Sequence, residues 1–534
     1  MNKFTNRDTY GYKISADQLN DSIATYEVII IGAGPVGLAA AVDLAMLNIP
    51  VIILDENTNV CKGSRASCYA KRSLEILGRL GVGEEIASRG MAWKIGKVYS
   101  GLRLVNEFDL LPDDNGKYPA FTNLYQSEIE TILLERLGTL RSQGRNIQIR
   151  GRNKVVGIDA QPDHTMIEID TPDGTYEIKA DWVIAADGAD SDVRKLVGAT
   201  FQGRTFFDHF LVCDIKCNEE FPPERRFWFD PPFNPGRSAL MHKFCDGGVR
   251  IEYQLGFDTD KTEEVLPEKV ISNVASLLGE DVEFELDWAS VYTYQCRYLE
   301  EFCHQRVLFV GDAAHQVPPF GARGVNSGIQ DVDNLCWKLK LVIDGRAPES
   351  LIDSYHTERV YAAKENYDSS TRSADFIIPK SKASAVFREA VLGLSRQAKF
   401  AKLMIDSGRQ SVPCIYGNSP LHSVDAEDLP TQTRPGSVAI DVALGNEWLT
   451  DKLGGKFILL SINSEAPDSL DLDGIIVESL SLDAKPNSEL SQQYLGANSG
   501  AVYLIRPDKY IAARWTDFDT QMVGDALKTA VSRQ

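Results

Sequence analysis

The chain has 534 residues, 43% of them hydrophobic and 25% charged, too long for one ordinary core, so two or three globular domains are expected. Its 56 basic side chains are outnumbered by 76 acidic ones, a formal charge of -20. No basic run offsets that balance, which excludes a general nucleic-acid surface, since such a surface needs a clustered positive field.

Residues 1–25 are polar and mixed in charge, a lead-in segment without the apolar core of a secretory signal. The nearly continuous apolar stretch from Val28 to Leu54 is long enough to span a bilayer, but Asp43, Asn48 and Pro50 interrupt it and a glycine-rich turn divides it. It reads as a buried strand, a turn, a helix and a second strand. The turn is Gly32-Ala-Gly34-Pro-Val-Gly37. Its three glycines suit a tight turn, close approach of backbone to a pyrophosphate, and close packing of helix on strand. Asp55-Glu56 ends the second strand, where a carboxylate accepts ribose hydroxyls; Asp55 is the first choice and Glu56 the second. These residues alone fit either FAD or NAD(P).

Downstream, Gly63-Ser-Arg65 offers a cation to a pyrophosphate, though a solvated surface charge is the commoner fate of an arginine. Gln126, ahead of a helix expected over Ile129–Leu137, offers an amide to a cofactor or to its own helix start. Residues 145–186 read as strands, the last running into Asp187-Gly188. In the middle section, the alternation of Arg250-Ile-Glu252-Tyr253-Gln254 places Glu252 and Gln254 on one face and Tyr253 on the other, so at most one set lines a pocket. From Val307 to Val310 a short apolar strand stops at Gly311-Asp312, passes a Pro/Gly-rich loop and becomes a helix pattern from Ile329. Asp312 ends the strand with an acceptor suited to a ribityl hydroxyl. Gly321 and Gly324 let backbone N–H groups approach a polar ring edge. Helices are expected at Tyr355–Asn366 and Phe387–Phe400, offering a surface for association. From about Thr433 the texture changes to short strands at Phe457–Ile462, Gly474–Leu480, Ala501–Ile505 and Tyr510–Trp515, with a last helix at Thr520–Val531. Nine cysteines are scattered without a CxxC pair, which suits reduced thiols and a cytoplasmic location.

Together, GxGxxG at 32–37, DG at 187–188 and GDAAH at 311–315 resemble, in order and spacing, the class A flavoprotein aromatic hydroxylases, and most of all those acting on 3-(3-hydroxyphenyl)propionate. The resemblance covers most of residues 26–400. It implies an α/β fold with a Rossmann-like FAD-binding domain (26–200 and 290–400) interleaved with a β-sheet substrate domain (201–289). A linker (401–432) and a thioredoxin-like domain (433–534) would follow; the latter has no cysteine, which excludes thiol redox chemistry there. It further implies FAD, with NADPH or NADH as reductant, O2 as oxidant, and electrophilic hydroxylation of a phenolic ring through a C4a-hydroperoxyflavin.

Carried over residue by residue, Gly32, Gly34, Gly37 and Asp55 resemble the ADP-binding set. Arg65 and Gln126 resemble ribityl–pyrophosphate contacts, and Asp187 belongs to the DG motif. Gly311-Asp312 would hold the ribityl chain, Pro319 would lie beside the oxygen-reactive carbon, and Gly324-Val325-Asn326 would hydrogen-bond the pyrimidine ring through their backbone, with Arg323 supplying a cation. A base acts on the substrate hydroxyl; His209, His242, Tyr253, Tyr292 and Tyr294 are candidates, with His242 and Tyr253 carried forward. A carboxylate tail could meet Arg225, Arg226 or Arg237. The expected assembly is a homodimer that binds neither nucleic acid nor membrane and holds no metal. Two other readings stay open: a flavin-dependent halogenase or dehydrogenase on the same scaffold, although the WxWxIP signature of tryptophan halogenases is absent, and a non-catalytic flavin-binding protein.

Overall fold

The computed structural model describes residues 9–20, 22–61, 66–111, 116–405, 411–425 and 428–533. Arg65 lies outside them. The first layer is an eight-stranded sheet whose centre is parallel. Ala24–Ile31 pairs with Val51–Leu54 on one side and with Gly174–Ala185 on the other; Ile147–Arg150 and Val307–Phe309 flank these. The β-branched run Val28–Ile31 is fully buried, with helix Pro35–Met46 packed against this part of the sheet. In register, Ile31 lies beside Leu54 and Ala185, and Ala185 beside Phe309. The segments that follow, beginning at Gly32, Asp55, Ala186 and Val310, therefore all emerge at the carboxyl edge of the sheet, where ligands bind in open α/β folds.

Helix Pro35–Met46 packs against helix Gly324–Ile343, and Gly328 makes that contact possible: a Cβ there would lie 2.6 Å from the Val36 side chain. The second helix begins five residues earlier than its apolar periodicity indicates. Gly324, Val325 and Asn326 form its first turn rather than a loop, because the small and polar residues Gly324, Asn326, Ser327 and Gly328 carry no apolar periodicity.

A second eight-stranded sheet is largely antiparallel and centres on the long strands Phe201–Cys217 and Phe284–Leu299, with Gly248–Gly256, Ser238–Lys243 and Glu224–Phe229 beside them. Its edge is completed by Ile95–Ser100 and Arg103–Asp109. These two strands lie outside the 201–289 span expected for the substrate sheet. Nothing local marks them, since what recruits them is pairing with Glu224–Phe229, more than a hundred residues on. Helix Pro267–Leu278 covers one face of this sheet through Val270 and Val274; the opposite face looks toward the first sheet.

The C-terminal part forms a five-stranded sheet. Its central strand Phe457–Ile462 runs parallel to Ile475–Leu482 and antiparallel to Ala501–Ile505, which pairs with Ile511–Trp515, and helix Thr520–Ala530 packs against it. This unit shares a core with the long helices: Trp337 and Leu351 pack among Phe457, Leu459 and Val523. Among the described residues no helix is long and apolar enough to cross a membrane.

Candidate active site

The two large sheets meet at a cleft of about 730 Å³. On one side stand the ends of the parallel strands, on the other the open face of the second sheet. At Gly32 the backbone turns with φ +105°, and a Cβ would come within 2.5 Å of the Ala186 carbonyl oxygen, so only glycine fits without strain. Gly34 has open space where a Cβ would sit and lines the cleft. Gly37 lies behind it, its Cβ position 2.0 Å from the Gly32 carbonyl oxygen, and serves helix packing. The helix starting at Pro35 has no side-chain cap, nor does the one starting at Gly324. First-turn N–H groups lack intrahelical acceptors and attract negative or electron-rich atoms.

Asp55 accepts from the Ala33 N–H at 2.6 Å and the Asn57 N–H at 2.7 Å. Burial pushes its pKa up, against the pull of these donors. Glu56 is exposed and pairs with Lys154 at 3.2 Å, so it occupies the rim. Gln126 accepts from the Ala66 N–H and donates to Glu130. Asp187 is the most informative of the acids. Asp187 lines the cleft; one of its oxygens accepts from the Val193 N–H at 3.0 Å, while Oδ1 is buried and meets no hydrogen-bond partner. A buried carboxylate oxygen is costly unless a donor reaches it. With the two open helix starts and the room at Gly34, this fits a dinucleotide bearing hydroxyl donors.

Asp312, Pro319, Gly324 and Val325 line the cleft. Arg323 does so too, 2% exposed, donating to the Phe320 carbonyl oxygen at 2.9 Å. Two residues expected alongside them are placed otherwise. Gly311 is not in the lining; its N–H donates to Asp331, which also binds His315 and Arg359, so it is a turn residue held from behind. Asn326 is fully buried, and its side chain accepts from the Ala70 N–H and donates to the Cys68 and Ala322 carbonyl oxygens. It pins the Cys68–Ala70 strand and does not border the cleft.

On the sheet side the cleft is lined by Val212, Arg225, His242, Arg250, Glu252, Tyr292 and Tyr294. Tyr253 is not among them, and the expectation of a base there is corrected. It points to the opposite face, where its hydroxyl donates to the Asn273 carbonyl oxygen on the covering helix at 3.0 Å. Strand alternation sends Glu252 to the cleft and its neighbour away.

His242 stands at the centre of a cluster that no single segment reveals. Its Nδ1 lies 3.8 Å from Cys68 Sγ, its Nε2 3.9 Å from Glu252 Oε1, and Glu252 accepts from the Tyr294 hydroxyl at 3.4 Å. Burial works against charge at all three members. At His242 it is outweighed by Cys68 and Glu252, which raise the pKa. At Cys68 it is outweighed by His242 and Arg225, and at Glu252 by His242, Arg250 and Arg225; both acids are held lower than usual. Arg250 is itself paired with Asp214 at 2.7 Å. Cys68 and Glu252 carry no motif; the only sequence signal is the shared face of Arg250, Glu252 and Gln254.

This arrangement defines an α/β protein with a dinucleotide cleft closed by an antiparallel sheet. Over residues 25–370 it matches the family described as an FAD binding domain, and the chain belongs to that family. Among its relatives, a "Probable NADH-specific resorcinol 4-hydroxylase" of Rhodococcus jostii (strain RHA1) is 32% identical over 342 residues, which span 62% of this chain and 62% of that protein. A 3-(3-hydroxy-phenyl)propionate/3-hydroxycinnamic acid hydroxylase of Shigella sonnei (strain Ss046) is 28% identical over 81% of this chain and 77% of that one. Of solved structures, p-nitrophenol 4-monooxygenase PnpA from Pseudomonas putida DLL-E4 has 26% identity and a TM-score of 0.63, covering 72% of this chain and 97% of its own. The flavin-dependent monooxygenase PieE, in complex with FAD and substrate, shares the fold over 96% of this chain and 99% of its own, with a TM-score of 0.80 at 20% identity.

Proposed function

We propose that this protein is an FAD-dependent monooxygenase that hydroxylates a phenolic ring, with NADH or NADPH as reductant and O2 as oxidant. The observation that carries the reading is the cleft itself, which joins the glycine-rich strand ends to a sheet face bearing His242 and Glu252. Bound FAD supplies reducing equivalents to oxygen and delivers an electrophilic oxygen atom to the ring.

The chain's own residues do the rest. The turn Gly32–Gly37 and the helix start at Pro35 hold the pyrophosphate, Asp55 accepts from the ribose, and Gln126 and Asp312 hold the linking chain. The first-turn N–H groups at Gly324 and Val325, with Arg323, stabilise negative charge on the pyrimidine edge. Pro319, which lines the cleft, would lie beside the oxygen-reactive carbon of the bound flavin. Asp187 accepts from a cofactor hydroxyl through Oδ1. An electron-rich phenolate reacts best with an electrophilic oxygen, so the substrate hydroxyl must give up its proton; neutral His242 takes it, and Glu252 stabilises the imidazolium that forms. Walls from two sheets exclude water.

The C-terminal unit is read as thioredoxin-like, supported by its strand order and directions: a central pair in parallel, then two antiparallel neighbours and a helix. Homodimer formation belongs to the same reading, supported by the exposed apolar side chains of Val386, Leu394 and Phe400.

The test is to purify the protein, check it for bound FAD by absorbance, and follow NADH and NADPH oxidation across a panel of phenols. Oxidation stimulated by one phenol, with a singly hydroxylated product, is expected. A chain that neither retains nor rebinds FAD, or that oxidises nicotinamide without any hydroxylated product, contradicts the reading.

A further inference from the structure

A second chamber, of about 480 Å³, opens beside the cleft. Its walls are mainly apolar, with Phe227 and Phe229 from the sheet, Phe108 from its edge strand, Phe376 from the long helix, and Leu403 and Met404 from the helix Lys399–Ile405; Lys97 and Arg372 also line it. It is a separate space, yet the two cavities share a wall. Arg225 lines both, and Phe320-Gly321 on the chamber side directly follows Pro319 on the cleft side.

Arg225 is 8% exposed and, among the described residues, its side chain makes no hydrogen bond or ion pair. Its strand neighbour Arg226 is turned the other way and donates to Glu224 at 2.7 Å. A buried guanidinium without a counter-ion is costly. It keeps its place by facing the cavities, and its charge already acts on Cys68, His242 and Glu252. A ligand crossing the junction is thereby sorted by polarity. Its polar groups stay in the cleft within reach of Arg225, and an apolar extension passes into the aromatic chamber. At the far end Phe387 and Leu403 are 52% and 66% exposed, so the chamber reaches the surface.

We propose that the chamber is a subsite for an apolar substituent on the phenol, an alkyl chain of several carbons or a second ring. This rests on the hydroxylase reading and narrows its substrate class. A flavin dinucleotide and a single phenol ring belong to the cleft, and neither needs a second cavity of this size lined by aromatic side chains.

The test uses the FAD-bound protein and two ligands, resorcinol and 4-hexylresorcinol, with binding read from the perturbation of the flavin spectrum. Each fully buried methylene contributes about fourfold in affinity. The hexyl compound is therefore expected to bind at least about tenfold more tightly, allowing for incomplete burial of its chain. Ser373→Phe, which fills the chamber from the long helix, and Leu403→Trp, which fills it from an exposed position where folding is not at risk, should each bring the ratio of the two constants close to one. A ratio below two in the native protein overturns the proposal, as does a large ratio that survives both substitutions. If neither ligand perturbs the flavin, the inference fails, while the hydroxylase reading stands or falls with the phenol panel. If resorcinol binds and is hydroxylated but the hexyl chain gives no advantage, only the inference fails.

Discussion

His242 lies between two acids, Cys68 and Glu252, that favour its protonated form. As the proposed base, the imidazole must be neutral to accept the phenol proton, so activity should rise with pH as His242 loses its own proton. Its folded pKa is raised, which places that limb of the kcat/KM profile above about 6.5. His242→Gln should lower kcat by about a hundredfold or more, the usual contribution of a positioned base, and abolish the limb while FAD stays bound. A variant that keeps both the limb and the rate would remove His242 from the reaction. The same shift has a sign for stability. A group with a raised folded pKa stabilises fully below its unfolded value, near 6.5, and that contribution is lost as pH rises through the folded value.

Elements explain what could and could not be read in advance. Gly32, Asp55, Asp187 and Asp312 were legible because each motif is local: a short apolar run stops and a polar or glycine residue follows at the strand's end. The His242 cluster was not, because His242 and Glu252 sit on neighbouring strands of the second sheet while Cys68 lies on a small three-stranded sheet of its own, pinned by Asn326. Tyr253 and Glu252 show the limit of alternation: it separates the faces and leaves open which is inside. Equally hidden was the buried network behind the cleft. Glu358, on helix Leu351–Ile377, accepts from Arg506 at 2.6 Å and Lys338 at 2.9 Å, all with fully buried side chains. Burial pulls Lys338 down to about 8, and Glu358 limits that fall. Glu358→Gln leaves Lys338 without its counter-ion and Arg506 with Asp508 alone, and should cost about 3–5 kcal/mol, measured as a drop in denaturant midpoint. A loss below 1 kcal/mol would show that the network is not rigidly desolvated.

At the scale of the whole molecule, the C-terminal sheet is fastened to the cofactor-binding layer by that network and by the packing of Trp337 on Phe457, ring centroids 5.7 Å apart. The long helices thus have the cleft before them and this unit behind. On the proposed reading the two large sheets supply different halves of one task, cofactor on one wall and ring on the other. That division makes oxygen transfer the central claim, and labelled oxygen tests it most directly. Under oxygen-18 gas, the FAD-bound protein supplied with NADH and a phenol that stimulates its oxidation should yield a product whose new hydroxyl carries the heavy label. A product labelled from water instead, or hydrogen peroxide as the sole product of oxygen reduction, would contradict the account.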